Sequence, residues 1–368
     1  MIPVNEPLLE GNELAYVSEC IKTGWISSSG RFIEQFEEKW AAYCGMKYGV
    51  SMSNGTVVLQ AAVAALGLKP GDEIIMPSFT IISCALAAVY NGAKPVLVDC
   101  DPETWTMDPS AIETRITSRT RAIMPVHIYG HPCDMDPILA LAEKYSLVII
   151  EDAAEAHGAE YKGRKCGSFG GISCFSFYAN KIITAGEGGM ALTNDPVYAE
   201  RLKAQRNLCF RPERRFFHTE LGHNFRLTNM QAAVALAQLE QIGVFIEKKR
   251  AMARSYHERL KNVKGLALPV EKNWAKNVYW MYGLVLDDAR GMDAVRFAEY
   301  LSDEGVETRP FFLGMHEQPV FHDMGLFKKE RYPVTERIAA KGLYLPSGLA
   351  ITAQQINQAA DAVIKILA

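Results

Sequence analysis

The feature that most constrains this chain is an alternation, over its first 250 residues, of short β-branched runs with longer amphipathic stretches. The runs fall at 48–52, 72–76, 95–98, 122–127 and 147–150, each too short for a stable helix. Between them, apolar residues recur at helical spacing in 34–44, 57–68, a stretch running through 88, and 137–145. Strands that alternate with helices predict a largely parallel sheet covered on both faces. At 168–194 the pattern breaks into short apolar pieces punctuated by glycine, which predicts strands and loops. A long helical stretch at 228–259, interrupted near Gly243, marks the expected boundary. Strand-like pieces at 278–286 and 306–310, with helices at 293–304 and 353–367, then predict a smaller α/β unit. The expected division is a large domain with an N-terminal segment at 1–244 and a small C-terminal domain at 245–368.

Composition narrows the function. The chain has 368 residues, enough for about two domains. Its 39 basic and 42 acidic side chains nearly balance, with no long basic run, which argues against nucleic acid or an anionic membrane as partner. No segment approaches the roughly 20 apolar residues that span a bilayer. The first ten residues lack the pattern of a signal peptide. The eight cysteines never form Cys-x-x-Cys and none follows Cys209, so reduced thiols in a cytoplasm are expected rather than a disulfide scaffold or zinc ribbon.

Three segments carry chemistry. Ser53-Asn54-Gly55-Thr56 lies between an expected strand and helix, where unpaired N–H groups and a partial positive charge suit a phosphate. A plain helix cap explains the same four residues. Neither a Walker loop nor a G-x-G-x-x-G is present, which weakens ATP and NAD readings. In the second segment an apolar run ends in Glu151-Asp152-Ala153-Ala154-Glu155, at the carboxyl end of a central strand, where α/β proteins place ligands. A carboxylate buried there needs a cationic partner. In the third, Lys181 follows the aromatic run Phe175-Ser176-Phe177-Tyr178, a setting that suits either an ordinary solvated surface charge or a partly desolvated amine nucleophilic toward carbonyls. Phosphate cradle, carboxylate and lysine together are what pyridoxal 5'-phosphate requires.

Other clusters have blander readings. His127, His131, Cys133 and Asp134 are metal-ligand types, but they read as a strand end and a turn with no second cluster, so no metal is expected. Arg206, Arg211, Arg214 and Arg215 form a basic loop that suits either solvent or a nucleotide diphosphate. Trp25, Trp40 and Trp280 offer stacking surfaces for a base, with core packing as the role of at least two.

An ordered set of motifs resembles the DegT/DnrJ/EryC1/StrS sugar aminotransferases along nearly the whole chain. Its segments are 24–28 (GWISS), 53–56, 71–78, 127–135, 150–156, Asn180-Lys181 with 186–190, and 222–229. The resemblance implies a fold type I aminotransferase, usually a homodimer with active sites at the subunit interface. It implies that Lys181 forms the Schiff base, that Asp152 partners the pyridine nitrogen, and that Glu155 lies near the phenolic oxygen. Asn54, Gly55, Thr56 and Ser176 would hold the phosphate, with Asn224 reaching across from the other subunit. Lysine at 181, where the dehydratase branch carries histidine, favours transamination. Ile81 stands where the family often stacks an aromatic residue on the ring; it can cover the ring only by dispersion. Trp25, Arg309 and His316 are expected on the substrate side.

The 309–312 segment resembles the perosamine branch, while 313–316 departs from it. The implied reaction moves an amino group from L-glutamate to a nucleotide-linked keto sugar, with GDP-4-keto-6-deoxymannose to GDP-perosamine as first expectation. Another nucleotide keto sugar, a small phosphorylated ketone, a sugar dehydratase and a regulatory sensor stay open from the sequence.

Overall fold

The computed structural model describes residues 1–210, 214 and 216–368. Seven strands form the main sheet: β1 (Tyr48–Met52), β2 (Glu73–Pro77), β3 (Lys94–Val98), β4 (Thr120–Ile123), β5 (Val148–Asp152), β6 (Ile172–Ser176) and β7 (Gly189–Thr193). Their spatial order is β1-β7-β6-β5-β4-β2-β3. Pairings from β3 through β6 are parallel, and β7 alone runs against its neighbours β1 and β6. Every residue of β2, β6 and β7 is buried, as expected for strands covered on both faces. The sequence reading of an α/β fold with a mostly parallel sheet holds.

Helix termini are set by local chemistry. Asn54, in extended backbone, accepts the Val57 N–H through its side chain and starts the helix Gly55–Leu66, which ends at left-handed Gly67. Thr228 and Gln231 make a reciprocal capping box at the start of the helix Asn229–Glu240, and Thr352 with Gln355 repeats it for Ala353–Leu367. The long helical stretch breaks at Gln241, two residues before Gly243, and continues as Ile242–Leu260.

A second, antiparallel sheet orders β8 (Leu266–Ala267), β9 (Tyr282–Leu286), β10 (Arg309–Pro310) and β11 (Gly342–Leu345) as β8-β9-β11-β10. The helices Ile242–Leu260, Ala294–Asp303 and Ala353–Leu367 supply Tyr256, Phe297 and Val363 to its core, and Ile2 joins them through a bridge to Val306. A short ladder of Ala275–Lys276 on Glu160–Tyr161 ties the C-terminal region to the loop after β5. No helix among the described residues is long and apolar enough to cross a membrane.

Candidate active site

β1, β2, β5 and β6 share one direction, so their carboxyl ends emerge along one edge of the sheet. A cavity of about 580 Å³ lies there. Asn54, Gly55 and Thr56 enter it after β1, Thr80 and Ile81 after β2, Asp152 and Glu155 at and after β5, and Ser176 and Lys181 at and after β6. Trp280, Phe312 and Tyr344 close it from the second sheet.

The corner between Gly55 and Ser176 has room for no added carbon. A Cβ on Gly55 would lie 2.7 Å from the Ser176 Cβ and 3.1 Å from its Oγ. The helix start thus presents bare backbone beside two hydroxyls, Ser176 and Thr56, the latter 2.8 Å from the Ser83 hydroxyl. Exposed N–H groups, a helix dipole and hydroxyl donors form a cradle for a phosphate.

Asp152 is 2 % exposed. Its Oδ2 accepts the Cys84 S–H at 3.2 Å and its Oδ1 the Ala154 N–H at 3.1 Å. The sequence argument asked for a cationic partner, yet no ion pair reaches Asp152 among the described residues; a thiol and a backbone amide stand in. Burial raises its pKa, opposed by those two donors and by the charge of Lys181. Lys181 Nζ lies 3.7 Å from Glu155 Oε1 and 3.7 Å from the centre of the Trp280 ring. Burial lowers the pKa of Lys181, with Glu155 and Asp152 opposing. Burial likewise pushes Glu155 up to about 7, against Lys181 and the Tyr129 N–H that Oε2 accepts at 2.7 Å. Each partner is moved toward its neutral form, which suits an amine required as a nucleophile.

Four expected residues lie outside this cavity. Asn224 is exposed and its backbone bridges Asn207. Trp25 is 57 % exposed, its carbonyl accepting the Asn229 side-chain amide at 2.7 Å. Arg309 is exposed and paired with Glu307 at 2.6 Å, although its strand partner Tyr344 does line the cavity. His316 is drawn inward because the Met315 N–H bonds the Ser78 carbonyl; its Nε2 lies 3.2 Å from Glu336 and its ring meets Tyr332 edge-on.

The remaining candidates sort differently. Trp40 is core, packed on Phe175 and Phe177. Arg206 is neutralised by Glu37 at 2.6 Å, in a groove it shares with Arg201 and Arg226. Arg214 lies over the Phe217 ring, while Arg211 and Arg215 fall outside the described residues. His131 bonds the Pro132 carbonyl and Asp134 the Tyr161 hydroxyl. The ligand types that do converge, within 4.8 Å, are His127, Glu151 and Cys166. There His127 Nδ1 accepts the Cys133 N–H and Nε2 faces Glu151 at 2.9 Å, so both ring nitrogens are engaged. Glu151 also accepts from Gly167, Phe169, Gly170 and Ser173, so the cluster buttresses β5. Sequence reasoning had no signal for Tyr344 and left Trp280 open, because an aromatic wall drawn from separate segments in and beside a second sheet has no linear motif.

A sheet of this topology, with its cavity at the strand ends and an antiparallel sheet as the far wall, is that of the fold type I aminotransferases. The chain belongs to the DegT/DnrJ/EryC1/StrS aminotransferase family, whose model matches residues 7–364. It is 42 % identical over 355 residues to the GDP-perosamine synthase of Escherichia coli, covering 96 % of this chain and 95 % of that one. The GDP-perosamine synthase of Caulobacter vibrioides is also 42 % identical, over 367 residues, covering 100 % and 98 %. The X-ray structure of S. venezuelae DesV superposes with a TM-score of 0.90 at 35 % identity, covering 97 % of this chain and 94 % of that one. This chain is a pyridoxal-phosphate-dependent aminotransferase. The residues present fit that cofactor: a cradle too tight for a Cβ, a buried carboxylate and a desolvated amine border one cavity.

Proposed function

We propose that the chain aminates a nucleotide-linked keto sugar, GDP-4-keto-6-deoxymannose, to GDP-perosamine, with L-glutamate as donor. The observation that carries the sugar is the 42 % identity to two GDP-perosamine synthases across nearly the full length of each. When bound, pyridoxal phosphate supplies an aldehyde for amines and a ring that takes up the electron pair left at the donor's Cα. Gly55 and Thr56 N–H groups, with the Thr56 and Ser176 hydroxyls, hold its phosphate, and Asn54 fixes the helix start that presents them. Asp152 keeps a proton on the ring nitrogen; the low-dielectric surroundings strengthen that attraction. Ile81 covers a ring face by dispersion.

Lys181 Nζ, brought toward neutrality by burial, holds the cofactor and, once released, takes the proton from the donor's Cα. Glu155 beside it shares that proton balance and would be the partner of the cofactor's phenolic oxygen. In this reading the enzyme is a cytoplasmic homodimer. Residues 245–368 act as the smaller domain, with Arg309 toward the sugar; Trp25 faces it from the N-terminal segment, whereas His316, held inward by Glu336 and Tyr332, does not. Asn224, exposed on this chain, serves the cavity of a second copy.

Incubation with L-glutamate and GDP-4-keto-6-deoxymannose should give GDP-perosamine and one equivalent of 2-oxoglutarate, and Lys181→Ala should abolish both. Turnover confined to a keto sugar on another nucleotide would overturn the sugar assignment. A variant lacking Lys181 that kept near-normal rates would overturn the site.

A further inference from the structure

Lys249 is a buried ammonium that the chemistry above leaves unused. It sits on the helix Ile242–Leu260, 3 % exposed, and donates to the Trp280 carbonyl at 2.7 Å and to the Ser347 carbonyl. Trp280 lies just before β9 and Ser347 just after β11, adjacent strands of the second sheet. Ser347 fastens the same junction by accepting the Tyr282 N–H at 3.0 Å. Trp280 in turn reaches the lysine loop: its indole N–H donates to the Asn180 carbonyl at 2.7 Å, and its ring face lies 3.7 Å from Lys181 Nζ. Lys249 and Lys181 both line one small void of about 10 Å³, together with Trp280 and Asn180.

We propose that Lys249 is a positioning residue for the reaction, pinning the Trp280 backbone so that the indole stays over the Lys181 nitrogen. The inference rests on the reading of Lys181 as the cofactor-bearing lysine. An ammonium held only by two carbonyls is expensive to bury, and an apolar chain of the same length would fill the space at lower cost. Burial draws Lys249 down to about 7. What the nitrogen supplies, protonated or neutral, is a two-pronged, directional tether to the Trp280 and Ser347 carbonyls. Its effect passes through the ring: the negative face of an indole favours a protonated nitrogen beneath it. Glu155 and Asp152 favour the same protonated form, and burial opposes it.

The test uses the holoenzyme, reading the pH midpoint of the visible absorbance of cofactor held at Lys181, with kcat, KM and Tm measured alongside. Lys249→Met should lower the midpoint by about half a pH unit or more. It should also reduce kcat about tenfold or more, since the ring and amine lose register. Lys249→Gln, whose amide still donates to a carbonyl, should recover part of both. Trp280→Leu should lower the midpoint in the same direction, and serves if Lys249→Met does not fold. Wild-type midpoints in both Lys249 variants, with only Tm changed, would make Lys249 a stability residue and overturn the proposal. An unmoved midpoint in Trp280→Leu would do the same. Failure of the underlying reading has a separate signature: Lys181→Ala would then keep the pH-dependent band.

Discussion

Replacing Gly55 by alanine tests the proposed phosphate cradle by its geometry. The new Cβ would lie 2.7 Å from the Ser176 Cβ and 3.1 Å from Oγ, closer than carbon atoms tolerate, and Ser176 is buried in β6 with little freedom to retreat. Overpacking of this kind costs about 1–3 kcal/mol. Alanine's better helix propensity offsets little of that at the first helical residue. The methyl also presses on the Ser176 hydroxyl, one of the donors of the proposed cradle. Gly55→Ala should therefore lower Tm and weaken cofactor binding together. Ser176→Gly leaves only the residue 176 Cα, 3.3 Å from the added methyl, so Gly55→Ala/Ser176→Gly should recover most of the stability. It should not recover cofactor affinity, because the methyl remains and a hydroxyl donor is gone. Thermal melts of the cofactor-free forms and equilibrium dialysis against pyridoxal phosphate give the full double-mutant cycle. A Gly55→Ala protein with wild-type Tm and affinity would refute the close approach. Recovery of affinity in the double variant would refute the cradle while leaving the packing argument intact.

Asp152→Asn keeps one acceptor, for the Ala154 N–H, and turns an amide NH2 toward the Cys84 sulfur, but it cannot hold a proton on the ring nitrogen; kcat should fall about 10²–10³-fold, and an unchanged rate would remove its role. Glu155 titrates from 4.5 unperturbed to about 7 when buried, so its contribution to stability is fully present below about 4.5 and lost as pH rises through about 7. In cofactor-free protein the Tm of Glu155→Gln should therefore change less than wild type between those limits, and parallel curves would contradict the burial argument.

Legibility in the sequence followed how local each cause is. β1 and the helix Ala353–Leu367 match their expected bounds because period, caps and flanking turns all lie within the segment. Gly55, Asp152, Ser176 and Lys181 could be read as a group because each ends or follows a strand of the same sheet, and strand ends converge. β11 was not foreseen: four residues, Gly342–Leu345, carry too little pattern to separate from the helix Pro333–Lys341 before them. The expected run 122–127 is found as β4 at Thr120–Ile123, two residues earlier, and its pairing with β5 resumes past Pro125, whose missing N–H interrupts the ladder: the Pro125 carbonyl accepts the Asp152 N–H and Val126 bridges Asp152. Long-range partners were the least visible. Nothing near Asp152 announces Cys84 as its donor, and nothing near His316 announces that Glu336 and Tyr332 hold it inward.

The lone reversed strand orders how this site can assemble. β6, the loop 177–188 and β7 form one hairpin, with the Phe177 N–H bonded to the Gly188 carbonyl, so the lysine loop closes from neighbouring residues at little entropic cost. Asn54, Gly55 and Thr56 follow β1, which pairs with the other side of β7, Tyr48 opposite Thr193, so Gly55 comes beside Ser176 through a pairing of residues far apart in the chain. Such distant pairings are the slow ones. The lysine loop thus rests on contacts between near neighbours in the chain, and the proposed cradle on contacts between distant ones.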